Sequence, residues 1–394
     1  MKEKNEKIDL IMFNMSSYNE WQKGINNRNY QFLQNLLDAD AIGKILAVDY
    51  LPFSFKRGLR NYKENVFENL KNSQTIKRTL FSKVSQLTDK LFVYSTVKTI
   101  INPQLVITEL KKILTWLNFK NLINWSCFPL WIDYYQQFNE KLTVFDAVDN
   151  WAEHSSYKLQ KNRLLANYQK IGKNVDLIFT VSEEVQKIFP PRPKIIWLPN
   201  GVDFSHYQNE SNIINRDIGD LKKPFIGYAG VIQDKIDLEL LKKIAENFPQ
   251  ASLILIGPVW HKSIYQQLEK YSNIHFLGYK TYQELPTYLQ NFDVAIIPHR
   301  QDKFSQSTNP MKLYEYLACG KPVVTIHQRE LENFLPYIYL AKNHQEFIAG
   351  LKMALSENNP LNKEKRKELV KEQTWRKRVK VMLDYIFQEL GLTF

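Results

Sequence analysis

The stretch Ser307-Thr308-Asn309-Pro310-Met311-Lys312-Leu313-Tyr314-Glu315-Tyr316-Leu317-Ala318-Cys319-Gly320-Lys321-Pro322-Val323-Val324 reads as a short helix running into a buried strand. Asn309 is a favoured N-cap, because its side chain can accept a bond from a free backbone N–H. Pro310 suits the first helical position, where no N–H is needed. Gly320 can adopt the left-handed conformation that ends a helix, and Pro322 blocks continuation. Leu313, Tyr316 and Leu317 recur at helical spacing and predict a buried face, while Lys312 and Glu315 share another. One reading is an ordinary amphipathic helix with a surface ion pair. The other is a nucleotide site: free N–H groups and a positive dipole end at the helix start for a phosphate, and the Glu315 carboxylate one turn on for the hydroxyls of a ribose.

Outward from that helix, short apolar runs alternate with longer helical patterns, which predicts parallel α/β units. Strands are expected at residues 8–13, 44–48, 92–94, 122–125, 143–146, 177–180 and 195–198. A second set is expected at 225–229, 252–256, 274–277, 294–297 and 323–326. A chain of 394 residues can bury two cores, and the two sets suggest two doubly wound domains with a break between Asn200 and Pro224. A charged helix over 361–371 and an amphipathic one with Trp375, Val379, Met382, Leu383, Ile386 and Leu390 complete the chain.

Composition excludes several classes. Hydrophobic content of 44% is that of a globular protein. Two cysteines, Cys127 and Cys319, fit a reducing compartment and neither a disulfide framework nor a cysteine zinc site. The polar start, Met1 to Lys7, and the short apolar run after it do not make a signal peptide. No run of 18 apolar residues occurs. The net charge of +12 is concentrated: between Lys56 and Lys120 stand thirteen Lys/Arg against four Asp/Glu, interleaved with Phe55, Phe67, Leu70, Leu80, Phe81 and Leu87. That mixture suits an anionic membrane surface, or is a solvated face that keeps the chain soluble. Nucleic-acid motifs are absent.

Ligands of open α/β sheets sit at the carboxyl ends of the strands. After 225–229 come Gly230, which permits close backbone approach, and Lys235, within reach of phosphate oxygens. After 294–297 come His299 and Arg300, the latter suited to phosphate. After 143–146, Asp149 is either a general base for an acceptor hydroxyl or a cap for the helix near Trp151. Asp146 reads as a capping or packing residue, and His154 as either a surface or a catalytic one. The first strand is followed by a loop without G-x-G-x-x-G, and Walker A, H-E-x-x-H and G-x-S-x-G motifs are missing.

Taken in order, Phe145-Asp146-Ala147-Val148-Asp149-Asn150-Trp151, Leu198-Pro199-Asn200-Gly201-Val202-Asp203, Ile226-Gly227-Tyr228-Ala229-Gly230 with Leu253-Ile254-Leu255-Ile256-Gly257-Pro258, and the 309–322 stretch resemble the GT-B glycosyltransferases. The likeness is to the family 4/group 1 enzymes, in particular their bacterial cell-surface polysaccharide branch of teichuronic-acid type. It is strong from about Leu142 to Val324 and thin before that. It implies two Rossmann-like domains facing a cleft: an acceptor domain over 1–205, a nucleotide-sugar domain over 206–372 and a crossover helix over 373–394 that returns to the first domain. By the resemblance, Glu315 would bind the ribose, and Thr308, Asn309, Lys312, Leu313 and the helix start the diphosphate or sugar. Gly230 and His299 would also line the donor site. Lys235 and Arg300 would neutralise the leaving group, and Asp149 would serve the acceptor.

No cofactor beyond the donor, expected to be a UDP-sugar, and no metal is implied; Asp146-Ala147-Val148-Asp149 has one residue too many for a DXD motif. The expected activity is transfer to a cell-envelope or lipid-linked saccharide, in the cytoplasm or on the inner membrane face. A nucleotide-sugar epimerase of the same build and a non-catalytic nucleotide-sugar binder are the alternatives. One departure stands out. Where many retaining members carry the first glutamate of an E-x7-E pair, this chain has Ser307.

Overall fold

The computed structural model of the protein describes residues 7–192, 194–208 and 215–392. Most of the polar start and part of the expected interdomain break therefore lie outside the described residues. The chain divides into two compact units, Met1–Pro199 with Val379–Phe394, and Asn200–Arg378.

The first unit is built on nine strands: β1 (Ile8–Phe13), β2 (Ile42–Val48), β3 (Gln74–Arg78), β4 (Ser82–Gln86), β5 (Leu91–Thr96), β6 (Leu122–Ser126), β7 (Leu142–Ala147), β8 (Leu177–Thr180) and β9 (Ile195–Trp197). Their order is β3-β4-β5-β2-β1-β6-β7-β8-β9. The strands from β5 to β9 are parallel, and β3 and β4 form an antiparallel hairpin on the edge. Every strand expected here is present, and the hairpin is an addition. Its sequences, Gln-Thr-Ile-Lys-Arg and Ser-Lys-Val-Ser-Gln, carry too little apolar signal to be read as strands. The parallel strands other than edge strand β9 are largely buried on both faces, as their nearly continuous apolar runs require. The helices Pro103–Trp116 and Lys161–Asn174 bury Leu110, Ile113, Leu164 and Ile171 against one face. Helix Arg28–Leu37 covers the other, with Phe32 edge-on to Trp125.

The second unit has six parallel strands: β10 (Phe225–Ala229), β11 (Ser252–Ile256), β12 (Ile274–Gly278), β13 (Val294–Ile297), β14 (Val323–Ile326) and β15 (Tyr339–Ala341). Their order is β12-β11-β10-β13-β14-β15. Alternate residues feed two apolar layers. Ile226, Tyr228, Leu253, Leu255, Val294 and Ile296 pack with helices Leu238–Asn247 and His344–Leu355. Phe225, Ala229, Ile254, Ile256, Ala295 and Ile297 pack with helices Leu285–Asn291 and Met311–Ala318.

The final helix, Trp375–Leu390, begins in the second unit and ends in the first. It buries Val379, Met382, Leu383, Ile386 and Phe387, and Tyr385 meets Phe179 of β8 edge-on.

Candidate donor site

The winding of each sheet reverses at one place. In the second unit this switch point lies between β10 and β13, which pair side by side while their onward connections run to opposite edges. Loops diverge there, which leaves a crevice at the carboxyl ends of the strands. Gly230 follows β10, and Pro298 and His299 follow β13. The two loops are stitched together: Asp237 N donates to Pro298 O (2.9 Å) and Arg300 N to Lys235 O (2.8 Å). This brings four of the expected residues, Gly230, Lys235, His299 and Arg300, to one strand end.

The Met311–Ala318 helix supplies the rest. Its C-terminus is as expected: Gly320 has φ +71°, Lys321 N donates to Tyr316 O (3.0 Å) and Gly320 N to Leu317 O (2.8 Å). Its N-terminus differs from expectation. Pro310, in extended conformation, is the N-cap itself, and no side chain caps the helix. Asn309 is drawn elsewhere, because its Oδ1 accepts from Asn200 N (2.9 Å) while its C=O accepts from Asn200 Nδ2 (2.5 Å). The Pro-Asn-Gly-Val-Asp loop thus holds the residue expected to cap the helix, which leaves the first-turn N–H groups without a side-chain cap. Tyr316 fixes the helix to the sheet, its hydroxyl accepting from Ala229 N (2.8 Å) at the end of β10.

The surface ion pair between Lys312 and Glu315 does not form among the described residues. The Lys312 ammonium lies over the Tyr228 ring, 5.5 Å from its centroid. It crowds Gly230 (φ +144°), where a Cβ would stand 2.2 Å from Lys312 Cε and 2.6 Å from Nζ. Only glycine fits there. Burial lowers the Lys312 pKa, and Glu315 opposes the change. Burial raises the Glu315 pKa, against Lys312 and the hydroxyl of Tyr207, which faces the carboxylate without completing a hydrogen bond. His299 is buried and pushed well below the usual histidine range, by desolvation first and then by Lys235 and Lys312. Its ring is neutral near pH 7, and its Nε2 has no partner. Buried polar atoms are normally bonded, so the half-buried cation, the neutral imidazole and the carboxylate are groups that a polar anionic ligand would complete.

The remaining expected residues vary. Arg300 is exposed and Lys235 half-buried. Thr308 turns its hydroxyl to Ser305 O (2.9 Å). Leu313 points into the apolar core, with its N–H given to Pro310 O (3.1 Å), so neither its side chain nor its amide faces a ligand. Ser307 is buried, its hydroxyl donating to Phe304 O (2.7 Å). Tyr207, Tyr228 and Asn200 were not read from the sequence as site residues. Asn200 lies within a quoted motif, but nothing local marks its partner 109 residues away.

In the first unit, Asp149 is half-buried just past β7, and its C=O accepts from the Tyr168 hydroxyl (2.9 Å). Asn150, not Asp149, holds the N-cap position of the short turn Trp151–Glu153, with no side-chain cap bond from it. Asp146 is fully buried in a forked pair with Arg28, Nε to Oδ2 and Nη2 to Oδ1 both at 2.8 Å. It is a packing residue that ties β7 to the Arg28–Leu37 helix. His154 Nδ1 accepts from Ser156 N (3.1 Å) and caps the turn that follows. Around these strand ends Phe128, Trp131, Trp151 and Tyr157 form a continuous aromatic cluster. Buried polar atoms without partners gather there: both amide atoms of Asn14 after β1, and the indole N–H groups of Trp131 and Trp151.

The family model for glycosyl transferases group 1 matches residues 210–373, which includes every second-unit residue of the site from Gly230 to Glu315. The putative teichuronic acid biosynthesis glycosyltransferase TuaH of Bacillus subtilis (strain 168) is 25% identical over 273 residues, covering 64% of this chain and 68% of that one. Two solved structures share the fold along nearly the whole length. Sucrose-phosphate synthase from Thermosynechococcus elongatus has a TM-score of 0.71 at 12% identity, covering 98% of this chain and 100% of that one. Anabaena Alr3699/HepE, solved with UDP and glucose, has a TM-score of 0.66 at 12% identity, covering 97% and 99%. With two parallel-sheet units and the group 1 match over residues 210–373, the chain is a nucleotide-sugar-dependent group 1 glycosyltransferase of the GT-B fold.

Proposed function

We propose that the protein transfers a sugar from a UDP-sugar to a cell-envelope or lipid-linked saccharide, with residues 206–372 holding the donor and residues 1–205 the acceptor. The observation that carries the reading is the convergence of Gly230, Lys312, His299 and Glu315 at the β10/β13 switch point. Glu315 accepts the ribose hydroxyls. Lys312, Lys235, Arg300 and the uncapped helix start stabilise the negative charge that builds on the departing diphosphate. UDP is favoured by the likeness to HepE, which was solved with UDP and glucose, and an envelope polymer by the likeness to TuaH. In the reaction the bond from the sugar C1 to the diphosphate oxygen breaks and a bond from C1 to an acceptor oxygen forms. The acceptor proton leaves to a base, for which Asp149 is the candidate. The unpartnered amide of Asn14 and indole N–H groups of Trp131 and Trp151 are polar groups of the kind a saccharide uses.

The test is a thermal-shift screen of nucleotide diphosphates and their sugars, since a ligand of the native state raises its stability. UDP and one UDP-sugar should stand out. Glu315→Gln should weaken UDP binding by about 2 kcal/mol, the scale of a hydrogen bond to a charged group, while leaving the fold intact. Equal affinity of the variant and wild type for UDP would overturn the assignment of Glu315.

A further inference from the structure

The second strand-rich edge of the first unit carries a surface that donor chemistry does not use. The segment Phe55–Asn61 and the turn that continues it, Tyr62–Phe67, bury Gly58, Asn61, Asn65 and Val66 and turn an apolar face outward. Phe55 is 71% exposed, Leu59 59% and Phe67 68%; the tip of the β3–β4 hairpin adds Leu80 at 69%, and the loop after β5 adds Ile101 at 61%.

These segments are joined into one surface. A Cβ on Gly58 would fall 1.8 Å from Ile100 Cδ1, so the helix lies directly on the 98–100 turn. Phe81 O accepts from Val97 N (3.1 Å), which seats the hairpin tip on the same turn. Thr99 Oγ1 donates to Pro52 O (2.6 Å), and Arg78 bonds Asn69 Oδ1 (2.7 Å) just past the Tyr62–Phe67 turn. Exposed Lys56, Arg60, Lys63 and Arg78 stand among the apolar side chains; the acids nearby are Glu64, paired to Arg60, Glu20, which also reaches Arg57 and Arg60, and exposed Glu68, which leaves a net positive face.

Large exposed aromatic and aliphatic side chains on a soluble fold mark an interaction surface. Here they alternate with lysine and arginine, the composition of a segment that lies in the headgroup region of an anionic bilayer. No helix among the described residues is long and apolar enough to cross a membrane, so contact would be interfacial. We infer that this face, Phe55 to Phe67 with Leu80 and Ile101, inserts into an anionic lipid surface. The inference rests on the proposed envelope or lipid-linked acceptor, because an enzyme serving such a substrate gains from being held where it is presented. A protein partner would be expected to match the apolar patch without needing the excess of cations interspersed with it.

The test mixes the full chain with vesicles of phosphatidylcholine alone, or of phosphatidylcholine with phosphatidylglycerol, and pellets them. The wild type should pellet with the anionic vesicles and stay in solution with the neutral ones. A combined Phe55→Ser, Leu59→Ser, Leu80→Ser variant, and separately a Lys56→Glu, Lys63→Glu variant, should each weaken partition by about tenfold or more. Both should keep the UDP-induced thermal shift, which shows that they fold. The inference fails if the wild type does not pellet with anionic vesicles, or if the serine variant pellets as the wild type does. It also fails if the serine substitutions alter only the oligomeric state, which would make the face a protein interface. A wild type that pellets but shows no UDP shift would support this face and overturn the donor reading. One that shows the shift but does not pellet would do the reverse.

Discussion

Lys312 is the residue on which the proposed donor binding and stability pull in opposite directions. Its ammonium rests on the Tyr228 ring beside Gly230, and burial lowers its pKa with only Glu315 in opposition. A desolvated cation without a paired acid costs free energy in the empty protein, and a diphosphate would offset that cost. Lys312→Met keeps the length and apolar bulk of the side chain. It should raise the stability of the ligand-free protein by about 1 kcal/mol and at the same time abolish most of the UDP-induced thermal shift. Denaturant unfolding with and without UDP separates the two effects; a variant less stable than wild type in the absence of ligand would contradict this account. From the sequence, Lys312 shares a helix face with Glu315, and a surface ion pair is one of two readings; the Tyr228 ring beneath the ammonium has no local signal. Spacing within a helix shows which side chains share a face, but it does not show that β10 brings an aromatic ring to that face.

Between elements, Asp49 is the clearest case of a single group joining several. It stands at the end of β2, where it accepts from Tyr18 N at the start of the Tyr18–Gln22 helix (2.7 Å) and from Ser95 Oγ of β5 (2.5 Å). Desolvation raises its pKa to about 6, against the Ser95 and Tyr18 bonds, with Glu20 adding to the rise. The folded chain therefore holds this proton more tightly than the unfolded chain does. The stabilisation is complete below about pH 4 and is lost as pH rises to about 6, a change of about 3 kcal/mol at most for a shift of this size. Asp49→Asn removes this titration, so between pH 4 and 7 the wild type should lose about 3 kcal/mol at most relative to the variant, whose profile keeps only the contributions of the other groups. Urea unfolding at pH 4, 5, 6 and 7 measures the difference, and parallel pH profiles for the two proteins would rule out the account. Element-level structure was otherwise well marked in the chain. Apolar runs gave the parallel strands because those strands, the edges aside, are largely buried on both faces. The β3–β4 hairpin escaped because both strands are mostly polar, β3 at the exposed edge and β4 beside it with Ser82, Lys83, Ser85 and Gln86, and β15 because three residues, Tyr339–Ala341, carry too little pattern.

For the whole molecule, the last helix matters most, since its start belongs to the second unit and its end to the first. Val379, Met382, Leu383, Ile386 and Phe387 are all buried, and five such side chains contribute on the order of 5 kcal/mol or more. Ending the chain after Arg378 should therefore destabilise the first unit, seen as a lowered first transition in calorimetry. The UDP-dependent shift of the second unit should persist, since its strands, its 309–322 segment and the Asn200–Asn309 bonds remain. Loss of both transitions together would show that the two units do not unfold separately.

The sequence by itself determined the α/β class, the positions along the chain of most of the strands and a helix ending at Gly320, because local pattern and turn chemistry act over a few residues. It also marked Glu315 and Gly230, through spacing and through the strand end. Only the tertiary structure decided that Asn309 bonds Asn200 and leaves the helix uncapped, that Asp146 is matched by Arg28, and that His299 sits buried, neutral and without a partner at Nε2. Each of these depends on residues dozens to more than a hundred positions apart, or on a loss of solvent that no local stretch of sequence records.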